Sequence, residues 1–525
     1  MPQRRGRERG REGERGGWGE LFALLGGVLM GVTVAPFNVW FLAWVALSPL
    51  WVLVREGCED SGLKWWRFLV YPALWGVGYH GLALFWITGI HPMTWMGIPW
   101  LTSLAIAFLC WVLITLWGVA LVSVWAVLFR LSHRGKSLPI FSSVIIGTAL
   151  WCALEQFWSM GALWWTSISY TQSPYNLVIL HLGQLSGTSA VTGAIVAVNA
   201  LLAEGWLRRR TIKLPFYLPP LGLCLILHAV GYGLYLTPLA ESVETALKVG
   251  VIQGNIGNDI KLSPVGFQRA IAGYTKGYIR LVDEGVNAVL TPEGALPFFL
   301  RDIKNSNLVA AIKEKGITAW VGGFGERGTS YNNSLFTFTA TGEVFSRYDK
   351  HKLVPVGEYI PFEEILGGII NRLSPLEAHQ VPGAENQIFD TPFGRAIVGI
   401  CYESAFPEQF RRQAAAGGEF ILSAANNAHY SVAMPAQHHA QDIMRAIESD
   451  RWAVRATNTG YSGFVNPHGK TLWISGHNTY ETHAETIYRR QSKTLYVRWG
   501  NWLTPLLLIL GILILGLRQY RQVKS

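Results

Sequence analysis

Cysteine is scarce in this chain, five among 525 residues, and Cys58, Cys110, Cys152 and Cys224 lie in or beside strongly apolar stretches. Cys401 is left without a nearby partner, so a disulfide framework is excluded. Charge is scarce too. Asp, Glu, Lys and Arg make up 15% of the residues against 50% hydrophobic, where soluble domains average about 25% charged. That shortage excludes an ordinary soluble protein of this size and points to a membrane protein. The net charge is +10, yet neither a long basic stripe nor an RNA-binding signature accompanies it, so no nucleic-acid partner is expected. HExxH and paired-cysteine spacings are missing, so the histidines at 429, 438 and 439 do not indicate a metal; no cofactor is expected either. The one formal nucleotide motif, GFGERG at 323–328, runs into a turn and a strand rather than a helix and fails its context test.

Apolar sequence is what the chain has in abundance. Stretches long enough to cross a hydrocarbon core of about 30 Å, which takes about 20 helical residues, lie near 18–36, 38–54, 67–90, 101–129, 139–158, 183–206, 214–236 and 500–517. The expected layout is a disordered basic tail (1–17), a membrane domain of seven transmembrane helices (18–238), a globular domain (239–499), an eighth transmembrane helix (500–517) and a short tail (518–525). The first apolar segment reads as an uncleaved anchor, being long and without a small-residue cleavage site.

Lysine and arginine set the expected orientation, because cytoplasmic connections are enriched in them. They cluster in the first tail (Arg4, Arg5, Arg7, Arg9, Arg11, Arg15), the second connection (Arg55, Lys64, Arg67), the fourth (Arg130, Arg134, Lys136), the sixth (Arg208, Arg209, Arg210, Lys213) and the last tail (Arg518, Arg521, Lys524). Both termini are then cytoplasmic and 239–499 lies on the opposite, extracytoplasmic side. This pattern accounts for much of the basic excess.

Outside the cytoplasm a lone cysteine is either a reactive thiol or a buried, inert one, and position alone leaves the two equally open. The local pattern bears on the choice. Short β-like runs at 247–253, 287–292, 317–323, 334–340, 395–400, 419–425, 452–457 and 462–467 alternate with helical patterns at about 266–284, 302–315, 405–416 and 435–449. That alternation indicates a layered α/β domain, in which polar residues just after apolar strands build sites. Glu293 follows NAVL, Lys350 follows the β-like EVFSRY, and Cys401 follows RAIVGI. Together they supply a base, a cation and a nucleophile.

These positions resemble the Glu-Lys-Cys constellation of the nitrilase superfamily, whose domain is an αββα sandwich, and the seven-plus-one spans narrow the likeness to the apolipoprotein N-acyltransferases. Blocks in the family's order carry it: VIQGNI (251–256), PEGALP (292–297), YNNSLF (331–336), KLVPVGEYIP (352–361), CYES (401–404), QHHAQDIMRAIE (437–448) and VRATNTGYSGFVNPHG (454–469). The resemblance implies Cys401 as nucleophile, Glu293 as general base and acid, and Lys350 as stabiliser of the oxyanion, with Glu358 and Glu403 in support. It implies a phospholipid acyl donor, diacylglyceryl-modified lipoproteins as acceptors, and a multi-pass protein of the inner membrane with a periplasmic catalytic domain. Tyr402, Phe298, Phe299 and His429 are candidates to contact substrate. A tethered amidase would share the three central residues; a non-catalytic scaffold would be expected to have lost one, and none is lost. The chain departs from the family pattern at Leu262 and His429, where tryptophan is common, and at Val356, where phenylalanine is usual, which bears on lipid contacts rather than on the chemistry.

Overall fold

The computed structural model describes residues 18–524 apart from 61, 134–137, 212, 356, 360–378 and 429. The tail 1–17, Arg134, Lys136, Val356 and His429 therefore lie outside the described residues. The chain divides into two compact units: Met1–Phe85, Phe108–Tyr235 and Asn501–Ser525 in one, Trp86–Ala107 and Leu236–Gly500 in the other.

The first unit is helical. Six helices among the described residues are long and apolar enough to cross a membrane by length and composition: Trp40–Glu59, Trp100–Ser132, Ile140–Trp158, Thr188–Leu207, Leu218–Tyr235 and Leu503–Arg521. The expected stretches at 18–36 and 67–90 correspond to a shorter apolar helix, Trp18–Gly31, and to the helix Trp65–Ala83, neither among those six. Large apolar side chains such as Leu101, Phe108, Leu113, Leu225 and Ile512 lie exposed on these helices, the arrangement that lipid rather than water would solvate. Two buried acidic groups are well supplied with partners. Glu155 accepts from Ser167 Oγ (2.7 Å), Thr192 Oγ1 (2.8 Å), Ile168 N (2.9 Å) and Trp151 Nε1 (3.2 Å), so this buried carboxylate ties a loop to two helices. Arg55 Nε meets Glu204 Oε1 at 2.8 Å in the same buried manner.

The basic connections gather at one end of this unit. Arg130 donates to Leu63 O (3.0 Å) and lies 4.4 Å over the Trp65 ring. Arg208 donates to Leu138 O (2.7 Å), and Arg518 to Ser132 O (3.3 Å). Residues of the second, fourth and sixth connections and of the last tail thus share one face.

The second unit holds two six-stranded sheets. In chain order the strands are β1 (Ala246–Gln253), β2 (Ala288–Leu290), β3 (Thr318–Arg327), β4 (Ser330–Phe338), β5 (Val344–Asp349), β6 (Phe389–Thr391), β7 (Gly394–Ile400), β8 (Phe420–Ala425), β9 (Ala453–Thr457), β10 (Gly463–Val465), β11 (Thr471–Ile474) and β12 (Glu481–Tyr488). One sheet has the order β12-β1-β2-β3-β4-β5 and the other β11-β10-β9-β8-β7-β6. Parallel strands occupy the centre of each, β1-β2-β3 and β7-β8-β9, which is why these runs are apolar on both faces. Alternate residues serve different layers. Val249, Val251, Leu290 and Trp320 pack with Val398, Ile400, Leu422 and Val454 between the sheets. Val289, Ala319 and Val321 face Tyr278, Leu281, Leu308 and Ile312 of the outer helices Pro264–Asp283 and Asn307–Lys315. With the helices Pro407–Ala415 and Ala433–Ser449 beside the second sheet, this is the expected nitrilase-like αββα sandwich.

Three details differ from the sequence reading. The helix expected at 302–315 is broken, because Ser306 caps a new helix by accepting from Val309 N. Strands β6, β11 and β12 are additional to the expected set: two are short, and β12 is polar and half exposed. The GFGERG stretch lies in β3 and its hairpin to β4. Two of its glycines serve packing, since a Cβ at Gly323 would overlap Ile303 and one at Gly325 the Arg347 guanidinium, while Gly328 takes a positive φ of 62° in the turn.

Candidate active site

Each of the three candidate residues follows a strand. Glu293 comes after β2, Lys350 directly after β5, and Cys401 directly after β7. Their side chains are withdrawn from solvent, with residue exposures of 7% for Glu293, 1% for Lys350 and 6% for Cys401. Lys350 Nζ donates to Glu293 Oε1 (2.9 Å) and to Glu358 Oε1 (2.8 Å). Glu358 is fixed in turn by Val354 N, which donates to Oε2 at 2.7 Å. Glu293 Oε1 also accepts from Asn333 Nδ2 (2.7 Å), and its Oε2 from Asn426 N (2.9 Å). The Cys401 thiol lies 3.8 Å from Asn426 O, on that same loop.

Cys401 has a positive φ of 53°. Holding a non-glycine residue there costs about 1–3 kcal/mol, so the surroundings must over-determine it. Two contacts do so. His438 Nε2 donates to Cys401 O at 2.7 Å. Glu403 accepts from Ile400 N (2.7 Å) with one oxygen and from His351 N (2.7 Å) and Lys352 N (3.1 Å) with the other, while Tyr348 OH is 3.2 Å from both. Glu403 therefore clamps the segment after Lys350 to the strand before Cys401, and the 3-10 turn that begins at Cys401 is held from both sides.

Electrostatics determine what each group can do. Burial alone would raise the Glu293 carboxyl, but Lys350, with smaller help from Lys261 and the Cys401 thiol, holds it below the ordinary value of 4.5. Burial alone would lower Lys350; the carboxylates of Glu293 and Glu358 hold it well above its ordinary value. Burial, reinforced by Glu293 and opposed by Lys350, pushes the Cys401 thiol up to about 12. The resting site is thus a carboxylate, an ammonium and a neutral thiol. A nucleophilic sulfur arises only as its proton passes to Glu293.

Sequence reasoning missed several supporting groups. Asn333 and Asn426 orient the Glu293 carboxylate; both sit in the stretches YNNSLF and NNAHY, but their partner lies far away along the chain. Lys261 Nζ donates to the Glu293 carbonyl at 3.3 Å, and burial lowers its ammonium to about 8 against the pull of Glu293 and Cys401. Asn458, in RATNTG, joins Ile256 to Asn426.

The remaining candidates fall in different places. Tyr402 is buried edge-on to Phe406, ring centroids 5.0 Å apart. Phe298 packs on Phe267 at 4.9 Å against the outer core, and Phe299 lies near Phe324 and Tyr331. Leu262 caps the short helix Asn258–Lys261. Among the described residues no group of three His, Cys, Asp or Glu could hold a metal; His439 Nε2 instead meets Thr471 Oγ1 at 2.9 Å.

Comparison with known proteins adds independent observations. Residues 248–491 match the carbon-nitrogen hydrolase family, and residues 26–201 match the apolipoprotein N-acyltransferase N-terminal domain. The chain is 63% identical over 489 residues to an apolipoprotein N-acyltransferase of Nostoc sp., covering 92% of this chain and 96% of that one. It is 47% identical over 506 residues to one of Synechocystis sp., covering 92% and 97%. Among solved structures, an amidase from Nesterenkonia sp. matches with a TM-score of 0.36 and 19% identity, covering 49% of this chain and 95% of that one.

Proposed function

Because the chain belongs to the apolipoprotein N-acyltransferase family, we propose that it carries an acyl chain as a thioester on Cys401, from a membrane phospholipid to the α-amine of a diacylglyceryl-modified cysteine at a lipoprotein N-terminus. The observation that carries this reading is a neutral thiol at a strand end, beside a carboxylate bonded to a buried ammonium. In the first half-reaction Cys401 Sγ attacks the ester carbonyl while Glu293 takes the thiol proton. Lys350 supplies the positive charge that offsets the developing oxyanion. Collapse of the tetrahedral adduct breaks the C–O bond, and Glu293 returns the proton to the departing lysophospholipid oxygen. In the second half-reaction the amine attacks the thioester carbonyl and Glu293 takes its proton; collapse of the adduct breaks the C–S bond, leaving the amide, and Glu293 returns the proton to the departing Cys401 sulfur. Glu358 and Glu403 support Lys350 and Cys401. Tyr402, Phe298, Phe299 and His429 remain candidates to contact substrate.

The proposed setting is the inner membrane, with eight spans, both tails cytoplasmic and 239–499 extracytoplasmic. The gathering of arginines at one end of the helical unit supports it. Anchoring in a bilayer suits this reaction because both substrates are lipid-anchored.

Steady-state kinetics test the scheme. Varying phospholipid at several fixed concentrations of a diacylated lipopeptide should give parallel double-reciprocal lines, and lysophospholipid should be released before any peptide is added. Intersecting lines with no release before peptide would sink the covalent scheme.

A further inference from the structure

The nucleophile's unusual backbone has a partner that the reaction scheme leaves unused. His438 is completely buried on the helix Ala433–Ser449. A carbonyl can only accept, so the 2.7 Å contact with Cys401 O requires the proton on Nε2. Nδ1 is then the acceptor, and Asn427 Nδ2 faces it at 3.3 Å. Burial, reinforced by Arg455 and opposed by Asp442, lowers the imidazole to about 3, so it stays neutral with a single N–H to give. One turn along the same helix Asp442 is bound to Arg455 on β9, which fixes the helix against the second sheet. Asn427 belongs to the loop whose neighbour Asn426 donates to Glu293 and faces the Cys401 thiol.

We infer that His438 is a positioning residue for the nucleophile: its Nε2–H holds the Cys401 carbonyl, and with it the left-handed backbone that aims the thiol at Glu293, while Asn427 fixes the tautomer that makes this possible. The imidazole exchanges no proton with substrate, and any side chain that offers one N–H at the same place can replace it. The inference rests on the thioester reading for its catalytic consequence, but its geometric content concerns Cys401 alone.

The test compares two substitutions of similar length in the full-length protein in detergent micelles. His438→Gln keeps an N–H donor, whereas His438→Met fills the space without one. Two rates are read: alkylation of Cys401 by iodoacetamide, followed on its own peptide by mass spectrometry, and acylation of Cys401 by labelled phospholipid. The Met variant should lose about tenfold in both rates with KM for phospholipid unchanged, and the Gln variant should return to within about threefold of the parent, as expected for one neutral hydrogen bond. A folded Met variant at the parental rates, or a Gln variant as slow as the Met one, overturns the proposal. Should the Met variant not fold, Asn427→Ala is expected to slow both rates by about threefold, and unchanged rates there would overturn it equally. If the parent protein takes no label from phospholipid, the thioester reading fails, and the alkylation rates still decide the role of His438.

Discussion

At the scale of single residues, the site is a buried charge network whose members fail in different ways when removed. Cys401→Ser changes one atom, leaves the Lys350 pairing untouched, and should insert and fold as the parent does while forming no hydroxylamine-labile acyl adduct; a labile adduct on this variant would place the nucleophile elsewhere. Lys350→Met differs, because it strands Glu293 and Glu358 side by side in a buried place. Breaking such a pair costs about 3–5 kcal/mol, and losing an oxyanion partner costs about 10²–10³ in rate. A lowered melting temperature together with that loss is expected; a stable variant with near-parental turnover would contradict the role given to Lys350. The thiol makes a third prediction. With burial and Glu293 holding Cys401 at about 12, its alkylation by a neutral reagent should keep accelerating beyond the ordinary thiol value of about 8.5. A plateau in that ordinary range, read on the Cys401 peptide, would mean a less buried thiol than the structure shows.

At the scale of elements, β3 and the Ala433–Ser449 helix each carry a prediction. Gly322 on β3 lies against the turn that presents Glu293: a Cβ there would overlap Pro292 O, and Leu296 N donates to Gly322 O. Backbone cannot yield as a side-chain tip can, so Gly322→Ala should destabilise the domain by about 1–3 kcal/mol and displace Glu293, with activity falling more than stability alone explains. Parental activity and melting temperature in that variant would show the approach to be looser. On the helix, burial raises Glu448 from 4.5 to about 8 despite Arg445. A carboxyl raised on folding binds its proton more tightly in the native state, so its contribution is present in full below its unfolded value and lost as pH rises through its folded one. Thermal midpoints of the parent should therefore fall between pH 4.5 and about 8 more steeply than those of Glu448→Gln; equal slopes would mean that Glu448 is not the group responsible.

What is legible at these two scales follows from range. Glu293 and Cys401 can be picked out because each closely follows an apolar run, and Lys350 because it follows a β-like one, which are local signals. Asn333, Asn426, Lys261 and His438 cannot, since each matters through a partner that only folding brings near. Periodicity reports the central strands, whose neighbours bury both faces, and passes over β11, a short run of four residues, and β12, whose half-exposed, polar sequence resembles a loop.

At the scale of the whole molecule, the proposed function assigns separate roles to the two units: the helical unit would anchor the chain among lipids, and the α/β unit would perform the chemistry. Arg130, Arg208 and Arg518 at a single end of the helical unit lead to a topological prediction. A reporter inserted near residue 300 should be active only outside the cytoplasm, and one after Arg518 only inside it; the reverse pattern would turn the protein over and separate the site from lipoprotein N-termini.

The central claim is that Cys401 passes an acyl chain between two lipid-anchored substrates, and a pulse and chase on the purified protein tests it most directly. After incubation with acyl-labelled phospholipid, label should reside on the Cys401 peptide, be released by hydroxylamine, and move to the peptide amine once a diacylated lipopeptide is added. Label that never reaches Cys401, or that reaches it and never leaves for the amine, would contradict the account.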